Sequence, residues 1–185
     1  MVDHLGFDRV HLLGDALGVS VALAFAHDHP EKVGKLVLSG GASMSDHNLL
    51  LKLKSFYQVL ERTDLGVFFD VLYPNIFCHA FIDGDLAIYD KEKTATIVDK
   101  NKEDMLQLMR AIFSRDVKRD VRKIENQTLV IHGLKDGLIR PEHGRNLVAL
   151  LPHAQLVEVN CGHVIFREMP ERYAELVVSF ISGQS

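Results

Sequence analysis

Apolar residues fall along this chain in two distinct patterns. Val10-His11-Leu12-Leu13, Lys35-Leu36-Val37-Leu38-Ser39, Thr128-Leu129-Val130-Ile131-His132-Gly133 and Leu156-Val157-Glu158-Val159 are short, nearly continuous apolar runs. Such runs predict strands of a parallel sheet covered on both faces. Helical spacing lies between them. Leu17 to Ala26 places Gly18, Ala22 and Ala26 four apart, a thin face that can lie close to a sheet, and Pro30 stops it. Glu142 to Leu151 follows Pro141 as a second helix, and Pro170 opens a last one running to about Ile181. Leu5-Gly6-Phe7-Asp8 reads as a helix end and turn. Strand, helix, strand in this order predicts an α/β fold with right-handed crossovers.

From about Ser45 to Ile124 the period changes. Leu49, Leu50, Leu53, Phe56, Tyr57 and Leu60 recur at helical spacing, as do Val67, Phe68, Val71 and Leu72, before Tyr73-Pro74-Asn75 breaks the run. Lys100 to Phe113 predicts a further amphipathic helix with Met105, Leu108, Met109 and Ile112 on one side. The block reads as a helical insert of about four short helices between two sheet strands. The chain then divides into residues 1–44 (first part of the core), 45–124 (insert) and 125–185 (second part of the core). The charge-dense stretches 99–104 and 115–123 alternate in sign and are better explained as solvated faces than as binding patches.

Composition narrows the class. The length of 185 residues suits one domain, and 47% hydrophobic residues suffice for a sizeable core. A net charge of −4 gives no nucleic-acid footprint, and no apolar run reaches membrane-spanning length. No secretory leader is visible at Met1-Val2-Asp3-His4. Cys78 and Cys161 lack metal-type spacing and fit a reducing cytoplasm, so the expected location is cytoplasmic and no metal or other cofactor is called for.

The chemistry gathers at three strand ends. Gly14-Asp15-Ala16-Leu17-Gly18 stands between a strand and a helix, where G-x-S-x-G forms a nucleophile elbow; here the lifted residue is Ala16. Asp136 follows the 128–133 strand and His163 follows the last strand. Elbow, then acid, then histidine is the chain order of a triad in which the acid orients an imidazole base.

The stretches F-D-R-V-H-L-L-G-D-A-L-G, H-P-E-K-V-G-K-L-V-L, T-L-V-I-H-G-L-K-D and C-G-H-V-I-F-R-E-M-P-E together resemble the carboxyl-terminal two thirds of an α/β-hydrolase-fold protein. The resemblance implies a partial α/β-hydrolase fold: a mainly parallel sheet of about four strands, with residues 45–124 in the place of the lid. It implies His163 as catalytic base, Asp136 as its orienting acid and the Leu17 N–H as an oxyanion-hole donor. Ala16 departs from the family's usual serine, as an engineered change or a natural variant would; aminoacrylate hydrolases of pyrimidine breakdown are similar in carrying alanine at a G-x-A-L-G elbow. The family's first four strands, and the loop giving its second oxyanion donor, have no counterpart here.

The expected function is hydrolysis of a small carbonyl or ester-like molecule without a serine nucleophile; the alternative is an inactive hydrolase-fold module binding a ligand or a protein. Asp15 is one residue early for a displaced nucleophile, and Cys161 reads as a small buried loop residue. His27 and His29 read as cations at a helix end, and Glu168 as helix-start chemistry. Phe56, Tyr57, Phe68, Phe69, Tyr73, Phe77 and Phe81 read as lid core more than as substrate contacts. An uncovered Val10–Leu13 edge strand is an aggregation liability, so cover by a second copy, a separate amino-terminal half or a rearranged segment is expected.

Overall fold

Four parallel strands form one sheet in the order β1 (Val10–Asp15), β2 (Val33–Ser39), β3 (Thr128–Gly133) and β4 (Ala154–Val159). The computed structural model describes residues 2–43, 46–84, 90–91, 93–94, 101–114 and 120–183. Asp15 is in register with Ser39, Ser39 with Ile131, and Gly133 with Val159, which lines up the carboxyl ends of the strands along one edge.

The alternation of each strand divides the core in two. Leu36, Leu38 and Val130 face α1 (Leu17–Asp28) and α6 (Pro141–Leu150), packing on Leu23 and Leu147. Val37, Leu129 and Ile131 face the other way, onto Ile165 of α7 (Ile165–Glu168) and Tyr173 of α8 (Pro170–Ser182). Each fully buried Leu or Ile contributes roughly 1.5–3 kcal/mol. The two inner strands are covered on both faces as their apolar runs predict. β1 is not: Leu12 packs toward α1, whereas Leu13 is 50% exposed. The reason is geometric, since the α7–α8 layer packs on residues of β2, β3 and β4 and leaves the β1 face bare.

Between β2 and β3 lie α2 (His47–Arg62), α3 (Leu65–Ile76), α4 (His79–Gly84) and α5 (Lys102–Ser114). Asp46 and Asp64 cap the first two, accepting from Leu49 N at 2.7 Å and Val67 N at 3.0 Å. Phe56, Leu60, Phe68, Phe69, Tyr73 and Phe77 bury one another together with Leu106 and Met109.

Two expectations are corrected here. Tyr73-Pro74-Asn75 does not break a helix, because α3 runs on to Ile76 with Pro74 inside it. The missing Pro74 N–H and its ring act on the turn before it, and the last turn is held instead by Phe77 N, which donates to Tyr73 O at 2.9 Å, and by the burial of Tyr73 and Phe77. On α5 the buried stripe uses Leu106 and Met109, while Leu108 is 53% exposed, because α5 meets α2 and α3 along the face carrying Leu106. The side chain of Ile112, residues 99–100 and residues 115–119 lie outside the described residues.

Candidate active site

The turn after β1 is strained. Ala16 has φ 49° and ψ −112°, the single positive-φ residue other than glycine among the described residues. An L-residue there costs about 1–3 kcal/mol unless its surroundings enforce it. Two contacts do so: Ala16 N donates to Ser39 O at 2.9 Å, and Val19 N donates to Ala16 O at 3.2 Å. Gly14 makes the tight turn feasible, since a Cβ there would lie 2.5 Å from Gly18 O in the first turn of α1. Gly18 itself has open space where a Cβ would go, so of the two flanking glycines the close approach needs Gly14 alone. Leu17 opens α1, in the first turn whose N–H groups point outward without intrahelical partners.

The acid and the base meet. His163 Nδ1 donates to Asp136 Oδ2 at 2.7 Å, and both side chains are buried. With Nδ1 carrying the proton, Nε2 is left as the basic nitrogen. Asp136 Oδ1 accepts from Leu138 N at 2.9 Å and Ile139 N at 2.8 Å, a turn that fixes the carboxylate. Burial pushes the Asp136 carboxyl up, but bonds from His132, His163 and the Ile139 amide outweigh it and hold the group below the usual carboxylate range. For His163, burial pulls down, while the bond to Asp136 and the negative charges of Asp136, Asp15 and Glu168 raise it above its ordinary value. The pair therefore favours an imidazolium, the state a general base reaches after taking a proton.

Backbone contact ties the pair to the elbow. Gly40, with φ +56°, follows Ser39, whose carbonyl holds Ala16; a Cβ on Gly40 would lie 3.3 Å from His163 Nδ1. A Cβ on Gly133 would overlap the carbonyl of Gly162, so the acid strand and the histidine loop touch through main chain. Asp15 does not occupy the lifted position. Its Oδ1, Ser39 Oγ and Tyr173 Oη are buried without a hydrogen bond of good geometry among the described residues. Burial raises the Asp15 carboxyl, opposed by the Ser39 hydroxyl and the charge of His163.

Several contributors have no local sequence signal. Glu168 closes α7 rather than starting a helix, and its carboxylate turns back to accept from Gly162 N at 3.0 Å and Cys78 N at 3.4 Å. Ile76 O, at the end of α3, accepts from His163 N at 2.7 Å. Lys52 on α2 donates to Gly137 O in the acid loop, and Arg140 pairs with Asp46 at 3.1 Å. The helical block thus holds both loops. The Cys161 thiol is pushed up to about 12, first by burial and then by the nearby Glu168 carboxylate, and Cys78 is raised by the same two influences. Neither thiol is a ready nucleophile.

Among the described residues no group of three His, Cys, Asp or Glu side chains is arranged to hold a metal ion. No helix among them is long and apolar enough to cross a membrane. A cavity of about 580 Å³ opens at the amino ends of the strands, between Lys35, Leu129, Val157, Arg172, Leu176 and Phe180, and takes in none of Ala16, Leu17, Asp136 and His163.

A helix-backed parallel sheet, a strained turn after the first strand and a buried Asp–His pair on two later loops define a class. The chain matches the model of the alpha/beta hydrolase fold over residues 1–170 and belongs to that family. It is 29% identical over 189 residues to 2-hydroxy-6-oxo-6-phenylhexa-2,4-dienoate hydrolase of Burkholderia cepacia, covering 99% of this chain and 66% of that protein. It is also 29% identical over 193 residues to a 2-hydroxy-6-oxononadienedioate/2-hydroxy-6-oxononatrienedioate hydrolase of Comamonas testosteroni, covering 99% and 66%. Among solved structures it superposes with a TM-score of 0.91 on MGS-M2, an alpha/beta hydrolase enzyme from a Medee basin deep-sea metagenome library, at 25% identity over 100% of this chain and 68% of that one. The chain spans about two thirds of the length of the relatives it matches.

Proposed function

We propose that this chain carries the acid–base half of an α/β-hydrolase site and acts on a small carbonyl or ester-like substrate. His163 is the general base and Asp136 its orienting partner. The Leu17 N–H is an oxyanion donor, and Ala16 stands where a nucleophilic hydroxyl would be. The observation that carries the reading is the buried 2.7 Å bond between His163 and Asp136, on loops packed against the strained Ala16 turn. With no hydroxyl at Ala16, Nε2 of His163 takes its proton from water, which attacks the carbonyl carbon directly. The resulting imidazolium is stabilised by Asp136, and the developing oxyanion faces the start of α1. Relatives named for 2-hydroxy-6-oxo-dienoates support a carbonyl substrate.

The helices of 45–124 act as the lid, and buried, unactivated Cys78 and Cys161 suit a cytoplasmic setting. A second copy, a separate amino-terminal half or a rearranged segment covers the β1 edge and its exposed Leu13. A monodisperse monomer with that edge free in solution contradicts this cover.

A second reading, a non-catalytic module that binds a ligand or a protein under the helices, is favoured by the missing hydroxyl at Ala16. Turnover of a fluorogenic ester and of a 2-hydroxy-6-oxo-dienoate separates the two. The expected result is slow turnover that Ala16→Ser accelerates by several orders of magnitude, since removal of a triad serine typically costs about 10⁶-fold. His163→Ala removes both rates. Turnover unaffected by His163→Ala rules out the acid–base reading, and an inactive Ala16→Ser protein favours the binding module.

A further inference from the structure

Asp136 has a second histidine beside it. His132, in β3, is fully buried, and its Nε2 lies 2.8 Å from Ile139 O and 3.5 Å from Asp136 Oδ2. A carbonyl only accepts, so Nε2 carries a proton and donates it to Ile139. The amide of the same residue, Ile139 N, donates to Asp136 Oδ1 at 2.8 Å. The imidazole therefore closes the loop from Asp136 to Ile139 from beneath, while its Nε2–H adds a favourable field at the oxygen that receives His163. The other nitrogen, Nδ1, is buried without a hydrogen-bond partner among the described residues and faces α6 at Gly144. A Cβ on Gly144 would lie 2.7 Å from Nδ1 and 3.0 Å from Cγ of the ring. Glycine inside a helix costs about 0.5–1 kcal/mol relative to alanine, so this one needs a reason, and the ring supplies it.

The geometry points to His132 as the positioning residue that holds the Asp136 carboxylate toward His163, seated in a space kept open by Gly144. This rests on the reading of Asp136 and His163 as the acid–base pair, but its test needs no substrate. His163 is titrated by NMR in isotopically labelled protein, and the low-field proton shared with Asp136 is followed. Asp136, Asp15 and Glu168 supply the negative charges acting on His163, and the variants leave all three in place. His132→Leu removes the donor and loosens the carboxylate, so the imidazolium is held less well; its midpoint falls by about half a pH unit or more and the shared proton broadens. His132→Gln restores an N–H donor and keeps the wild-type midpoint. Gly144→Ala displaces the ring and lowers the midpoint as His132→Leu does, yet adds nothing in the His132→Leu background, because the two act through one contact. Should His132→Leu not fold, Gly144→Ala carries the same test alone. An unchanged midpoint in the folded variant, or equal loss in His132→Gln, overturns the proposal. An inactive Ala16→Ser enzyme with the expected NMR shifts instead rejects the hydrolytic reading and leaves this one standing.

Discussion

The carbonyl of Ile76, at the end of the third helix, accepts the main-chain N–H of His163 at 2.7 Å. Glu168 completes the clamp, because its carboxylate bonds Gly162 N and Cys78 N, one residue before the histidine and two after Ile76. Gly162 has no room for a side chain, since a Cβ there would lie 2.7 Å from both Cys78 N and Ile76 O. The histidine loop and the corner between α3 and α4 are thus one hydrogen-bonded unit.

Glu168→Ala leaves the buried Gly162 N–H without its acceptor. The expected loss is about 1–3 kcal/mol, the cost of an unsatisfied buried donor. In a domain of this size that lowers the melting temperature by about 2–4 °C for each kcal/mol. Glu168→Gln keeps a carbonyl oxygen in place and loses less. Equal stability of Glu168→Ala and the wild type in urea unfolding would show that water replaces the carboxylate at no cost.

Ala16 is held at positive φ although its methyl group makes no use of the position. Ala16→Gly relieves about 1–3 kcal/mol of strain and gives back about 0.5–1 kcal/mol in chain entropy. The variant is expected to be more stable by roughly 1 kcal/mol, read as a rise of about 2–4 °C in melting temperature. Ala16→Ser keeps the strain, so it gains nothing in stability. Gly14→Ala gives the opposite sign, because its Cβ meets the backbone of Gly18, which cannot rotate away. A melting temperature lowered by Ala16→Gly would mean that the turn is not strained in solution.

The sheet is legible because its signal is local. The apolar runs at 35–39 and 128–133 fall within β2 and β3, and the chain order of Asp136 and His163 anticipates their meeting across 27 residues. What escapes the sequence depends on partners far along the chain. The runs of β1 and β2 look alike, yet Leu13 is exposed and Val37 buried, since burial depends on what packs above the strand. Glu168 looks like any carboxylate near a helix start, and its role is set by amides 6 and 90 residues away. His132 sits inside an apolar run like a core residue; its four-residue spacing from Asp136 is the one cue, and the space at Gly144 that seats it is visible only in three dimensions.

Asp15 makes stability depend on pH with a sign opposite to that of Asp136. Burial raises the Asp15 carboxyl in the folded chain, so the favourable contribution of its protonated form is present below the ordinary carboxylate value of 3.8 and is lost as pH rises through the folded value. Asp136 is held low, so its contribution is present above 3.8 and lost as pH falls through its folded value. His163 is raised above 6.5, so its contribution is complete below 6.5 and disappears as pH rises through the folded value. Asp15→Asn removes the cost of a buried carboxylate and also one of the negative charges that raise His163. The variant is therefore more stable than wild type near neutral pH, the advantage shrinks as pH falls through the folded Asp15 value and is gone below 3.8, and the His163 contribution is lost at a lower pH than in wild type. Urea midpoints measured from about pH 3 to 9 test all three signs. An Asp15→Asn protein no more stable than wild type at neutral pH shows that water reaches the Asp15 carboxylate, and that its charge costs the fold nothing.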